Sequence, residues 1–180
     1  MKRILGLLLS ACLATLTPLV SSENLAPQYP VGTIALWKIP GALYNGRKIV
    51  VRATSSTDSD EVAVNLQTGT STYGTDDVAI HVKASFNANV IVRATYLAGR
   101  GWLTEETDGG LPFRRGDEFE LEVLCAGDRF TISINGSPFC SYNYRFPITR
   151  ITHLSVTAGL AVKNVQFDDD LYYAIVKKVY

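Results

Sequence analysis

Short runs in which apolar residues recur at every second position set what this chain can become. Ile49, Val51 and Ala53 alternate with Val50 and Arg52, and Val62, Val64 and Leu66 alternate with Ala63, Asn65 and Gln67. Val78, Ile80 and Val82 alternate with Ala79, His81 and Lys83, and further runs cover residues 89–95, 119–125, 130–134 and 154–156. A period of two sends successive side chains to opposite faces of a strand, so one face can be buried while the other meets water. Turn residues break the runs at Pro40-Gly41, Asn45-Gly46, Gly109-Gly110 and Arg115-Gly116-Asp117, and across 55–60, 70–77 and 99–101. No long window carries the 3.6-residue period of an amphipathic helix. Many short strands at this spacing predict an all-β fold, an antiparallel sandwich or barrel.

The N-terminus reads differently. Met1-Lys2-Arg3 precedes an apolar stretch from Ile4 to Leu16, which gives way to small residues at Val20, Ser21 and Ser22. That order predicts a signal peptide over 1–22 and a secreted, extracellular mature chain. Thr15, Thr17 and Pro18 interrupt the end of the run, which is short for a bilayer span, so no membrane insertion is expected. Loss of Lys2 and Arg3 leaves 15 basic against 17 acidic residues. Such a balance gives no electrostatic reason for a nucleic acid partner. The remaining residues 23–180 suit one domain with a sizeable core, placed at about 29–167, followed by a C-terminal extension.

Residues 119–144 read as three antiparallel strands, turning near Ala126-Gly127-Asp128 and at Asn135-Gly136-Ser137. Cys125 then lies near Phe130, and Cys140 opposite about Ser133, with one strand between the two cysteines. Twice the ~4.8 Å strand spacing exceeds the ~7 Å that a disulfide allows between Cα atoms. Two free, mostly buried thiols are therefore expected. Asn135-Gly136-Ser137 is also a glycosylation sequon, but Asn-Gly between alternating runs is a hairpin signal, and Pro138 disfavours modification.

Several stretches in colinear order resemble a galectin carbohydrate-recognition domain. They are Ile39-Pro40-Gly41, Gly46 to Arg52, Val64 to Gly69, Asp77 to Lys83, Phe86-Asn87 and Ile91-Val92-Arg93. Trp102 to Glu106 with Leu111-Pro112-Phe113 and Gly116 comes closest to the family's signature block. Phe130 to Gly136, Ile151 to Val156 and Val162 to Phe167 resemble its closing strands. The resemblance implies a galectin-type, concanavalin-like β-sandwich of jelly-roll form, acting as a lectin for glycans or glycoconjugates that contain galactose.

The family pattern on the sugar-binding face is His-x-Asn-Pro-Arg, then Val-x-Asn, then Trp-x-x-Glu-x-Arg. His81, Val92, Trp102 and Glu105 match it, whereas Lys83, Ser85, Ala94 and Thr107 stand where Asn, Arg, Asn and Arg are usual. The candidate carbohydrate-binding residues are thus His81, Lys83, Ser85, Trp102 and Glu105. Alternation alone puts His81, Lys83 and Ser85 on one strand face. Trp102 in a Gly-flanked turn offers an aromatic plane to the C–H face of a sugar, and ionised Glu105 accepts from hydroxyls. Four lost polar contacts at about 1 kcal/mol each come to roughly a thousandfold in affinity, so weak or altered galactoside recognition is expected. Lys83 recovers part of that loss if it pairs with Glu105 and donates to a hydroxyl.

Other functions find less support. His81 and His153 are the only histidines, and no catalytic triad spacing, phosphate loop or metal cluster stands out. Glu105 has no partner carboxylate on its strand for glycoside hydrolysis, so no enzyme, cofactor or metal is expected. Asp168-Asp169-Asp170 reads as a solvated end rather than a calcium loop. The alternative is a galectin-fold interaction module that has abandoned sugar, and exposed sheet edges offer a route to a homodimer. The apolar run from Leu171 to Val176 is expected to pack on the sandwich or cover an edge.

Overall fold

A computed structural model describes residues 34–71, 74–157 and 159–169. The leader and lead-in over 1–33 and the tail over 171–180 lie outside the described residues. What is described is all-β: β1 (Ile34–Lys38), β2 (Arg47–Ser55), β3 (Glu61–Gln67), β4 (Val78–Ser85), β5 (Val90–Leu97), β6 (Gly101–Trp102), β7 (Glu118–Ala126), β8 (Arg129–Ile134), β9 (Ser137–Asn143), β10 (His153–Thr157) and β11 (Leu160–Asp169). Two antiparallel sheets result, six-stranded in the order β1-β10-β3-β4-β5-β6 and five-stranded in the order β11-β2-β7-β8-β9. No helix of the described residues is long and apolar enough to cross a membrane.

Alternation decides which side chains fill the space between the sheets. Phe119, Leu121, Val123 and Cys125 of β7 and Phe130, Ile132 and Ile134 of β8 point inward. They meet Val62, Val64 and Leu66 of β3 and Ile80, Val82 and Ala84 of β4. Each apolar side chain so buried contributes roughly 1.5–3 kcal/mol, which makes this packing the chief stabilising term. The outward positions of the five-stranded sheet carry charge instead. Lys48 pairs with Glu122 at 3.3 Å and Arg52 with Glu120 at 2.6 Å, a ladder of opposite charges across neighbouring strands.

The three consecutive strands expected over 119–144 are β7, β8 and β9. Asn135 and Gly136 link β8 to β9 with φ of +54° and +74°, the left-handed pair that an Asn-Gly hairpin turn requires. Cys125 lies opposite Phe130, and both Cys125 and Cys140 are free thiols. A register shift between Ile132 and Ser133 moves Cys140 opposite Ile132, one residue from the expected Ser133. Cys140 is also only half-buried, whereas Cys125 is fully enclosed.

One irregularity positions the site. On β4 the residues Val78 and His81 face Tyr96 and Ala94 of β5, so three steps along one strand match two along the other. This bulge overturns the simple alternation that set Ala79 beside His81. Ala79 packs in the core next to Ile80, and its carbonyl accepts a 2.8 Å hydrogen bond from the buried Thr95 hydroxyl. From His81 onward the alternation resumes in the opposite sense, delivering His81, Lys83 and Ser85 to the outer face. Bulges commonly re-aim a side chain in this manner next to functional sites.

Candidate functional site

Register lays the candidate residues out in rows across the outer face of the six-stranded sheet. His81 sits between Asn65 of β3 and Ala94 of β5, and Asn65 in turn pairs with Ser155 of β10. Lys83 sits between Ala63 and Val92, and Ser85 between Glu61 and Val90. Trp102 enters from β6, paired with Tyr96.

Across β5 the only side chain between His81 and the indole is the methyl of Ala94. Strands two apart are separated by about 9.6 Å, yet both rings lean over that methyl and their centroids stand 4.9 Å apart at 49°. Tyr96 closes the other flank of Trp102, edge-on at 5.4 Å. At 43% exposure Trp102 is the most exposed large hydrophobic side chain of the described residues, as its Gly-flanked setting led one to expect. His81 is 6% exposed. Its pKa is pushed down to about 4, first by burial and then by the neighbouring Lys83 ammonium, so the ring is neutral at physiological pH.

The remaining candidates part company. Lys83 pairs with Glu61 at 3.0 Å, not with Glu105, so its charge is committed within the sheet. Ser85 is half-buried one row further along. Glu105 is exposed on the segment following β6. Its neighbour Glu106, not Glu105, binds the Arg145 guanidinium at 2.8 Å.

Residues 103–110 are hung on β5 by main-chain bonds. Leu103 donates to Thr95, Arg93 and Glu106 exchange bonds of 2.9 Å, and Ile91 donates to Gly110. Arg93 fastens the same segment from the inner side. Its fully buried guanidinium donates to the carbonyls of Ile91 at 2.8 Å and Asp108 at 2.7 Å, and to the Asp108 carboxylate. That pairing holds the exposed Asp108 carboxyl below its ordinary pKa. Gly109 lies so close to Phe139 that a Cβ there would fall 2.8 Å from the ring, and its φ of +98° suits glycine alone. Arg93 therefore fixes the height at which Glu105 is presented.

Three polar residues that the sequence did not single out as ligand contacts adjoin His81. Asn65, Gln67 and Ser155 face away from the core yet are 1%, 0% and 0% exposed. Asn65 Oδ1 lies 2.6 Å from His81 Nδ1, Asn65 Nδ2 donates to Ser155 Oγ at 3.0 Å, and Ser155 Oγ donates to Gln67 Oε1 at 2.6 Å. Gln67 Nε2 completes the chain by donating to the Gly69 carbonyl at 2.8 Å. Alternation does put Asn65 and Gln67 on the outer face of β3, but bringing Ser155 beside them needed the pairing of β3 with β10. No group of three or more metal-ligating side chains occurs among the described residues.

An exposed indole against a neutral imidazole, with a buried polar row beside them on one face of a two-sheet antiparallel sandwich, defines a β-sandwich of the lectin class. The sequence profile of the galactoside-binding lectin family matches residues 35–167. The chain belongs to the galectin family. It is 30% identical over 127 residues to the 32 kDa beta-galactoside-binding lectin of Haemonchus contortus, covering 71% of this chain and 44% of that protein. It is likewise 30% identical over 129 residues to Galectin-4 of Homo sapiens, covering 72% and 39%. The chain thus spans under half the length of these curated relatives. Among solved structures, Caenorhabditis elegans galectin LEC-6 superposes with a TM-score of 0.65 at 22% identity, over 79% of this chain and 92% of that one. Sheep Galectin-11, in complex with glycerol, does so at 0.66 and 20%, over 77% and 99%.

Proposed function

We propose that this chain is a secreted galectin-type lectin that binds galactose-containing glycans weakly, using Trp102 as floor and His81 and Glu105 as polar contacts. The observation that carries the reading is the 4.9 Å approach of His81 to an indole left 43% exposed. A pyranose laid on that indole meets an acceptor at the imidazole edge and another at Glu105. Weakness follows from what surrounds them. Ala94 and Val92 offer no hydrogen bonds, and the Lys83 ammonium already serves Glu61. A loss of about 1 kcal/mol at each of four positions leaves affinity roughly a thousandfold below that of a full contact set.

No catalysis is proposed, because Glu105 lacks a poised second carboxylate and Glu106 is held by Arg145. Export is supported by the leader pattern, and a mature N-terminus at Glu23 would verify it. Self-association would use the outer strands β1, β6, β9 or β11, whose edges carry no further strand among the described residues.

The test is a glycan array followed by calorimetry with lactose, on the mature protein and on Trp102→Ala. Weak, lactose-competed binding that disappears in the variant is expected. Binding unchanged by the substitution would overturn the assignment. A second reading, a protein interaction module on the same face, is favoured by the aliphatic surroundings of Lys83 at Ala63 and Val92. It gains if no glycan on the array binds.

A further inference from the structure

The polar row beside His81 has a direction, and that direction decides what the imidazole offers a ligand. The Gly69 carbonyl can only accept, so the Gln67 amide must turn its NH2 toward it and its oxygen toward Ser155. Ser155 has one hydroxyl proton. With that proton given to Gln67 Oε1, Ser155 Oγ is left to accept, and the group it accepts from is the Asn65 NH2. The Asn65 oxygen is thereby turned to His81 Nδ1, 2.6 Å away. Two acceptors cannot share that contact, so Nδ1 must carry the proton. Each link is forced by the one before, starting from a backbone carbonyl that has no second orientation.

We propose that Gln67, Ser155 and Asn65 are positioning residues that hold His81 in its Nδ1–H tautomer, leaving Nε2 as an acceptor for a hydroxyl that donates. The ligand class is then a neutral polyol, and a phosphate, sulfate or carboxylate at that point is rejected because it brings no proton. Burial sharpens the effect, since none of the three residues exceeds 1% exposure and water cannot readily substitute for a missing partner. Depression of the His81 pKa to about 4, by burial and Lys83, keeps the second proton off Nε2 above pH 5.

The choice of ligand rests on the sugar reading above, whereas the tautomer does not, and the two can be tested apart. Long-range 1H–15N correlation spectra of the ligand-free mature protein distinguish the ring nitrogens, with His81→Gln assigning the signals against His153. The unprotonated nitrogen of His81 is expected to correlate with both ring C–H protons, which identifies it as Nε2. In Ser155→Ala the Asn65 amide loses the partner that fixes it, and the single tautomer should give way to a mixture. Asn65→Leu, close in shape, should shift the ring toward the Nε2–H form. Thermal unfolding of each variant verifies that it is folded.

A wild-type ring protonated on Nε2, or a Ser155→Ala spectrum like wild type, overturns the relay. Should Asn65→Leu fail to fold, Ser155→Ala still decides. Galactosides methylated or fluorinated at single hydroxyls extend the test to the ligand. At one hydroxyl both replacements should lower affinity at least tenfold. Sugar binding with Nε2 protonated sinks the relay alone, whereas the expected tautomer without sugar binding sinks the lectin reading alone.

Discussion

Lowering the pH from 7 to 4 should destabilise the protein through His81, by an amount that follows from its burial. In the folded chain its pKa is about 4, against 6.5 for an unhindered histidine. Between those values the unfolded chain binds a proton that the folded chain refuses, so stability rises with pH across that window. The contribution is whole above pH 6.5, falls as pH drops through the window, and is gone by about pH 4. A difference of about 2.5 pH units at about 1.4 kcal/mol each gives roughly 3 kcal/mol. For a domain of this size that is roughly 6–12 °C in Tm. The assay is urea unfolding of wild type and His81→Gln at pH 7 and pH 4. Asp108, Asp128 and His153 titrate in both proteins and cancel in the comparison. Wild type should lose about 3 kcal/mol more than the variant between the two pH values. Parallel losses would refute the claim that the imidazole is held neutral by its surroundings.

Arg93→Met should cost about 1–3 kcal/mol in urea unfolding, because the Ile91 and Asp108 carbonyls lose their donor while the exposed Asp108 carboxylate returns to water. It should also weaken sugar binding by loosening the segment that bears Glu105. Gly136→Val should cost about 1–2 kcal/mol, since valine resists a φ of +74°, and circular dichroism melts would register the change. In the mature chain a thiol reagent should modify Cys125 only after unfolding. Burial pushes that thiol up to about 12 and leaves it no exposure.

Much of the fold was legible because alternation is local. The inward sets on β3, β7 and β8 follow from which residues recur at every second place, and the Asn135-Gly136 turn from the left-handed conformation those two residues tolerate. β1 was not read as a strand. Both Leu36 and Trp37 are buried, so its run shows no alternation. The bulge before His81 escaped for a different reason: Ala79 is small and ambiguous, and only pairing with β5 shows an extra residue. At the site, one-strand reasoning put His81, Lys83 and Ser85 on one face and the turn exposed Trp102. The partner of Lys83 lies on β3 and the relay crosses to β10, so neither could be read without register. Arg93 was hidden because an arginine inside an alternating strand reads as a surface residue until its carbonyl partners are known.

The central claim is that a sugar rests on one indole, and the chain has two tryptophans with which to test it. Trp37 is 2% exposed within the core and Trp102 is 43% exposed beside His81. Titrating lactose into 15N-labelled mature protein should move the Trp102 indole N–H resonance saturably and leave that of Trp37 in place. Two stationary indole signals at saturating lactose, or equal movement of both, would contradict the account.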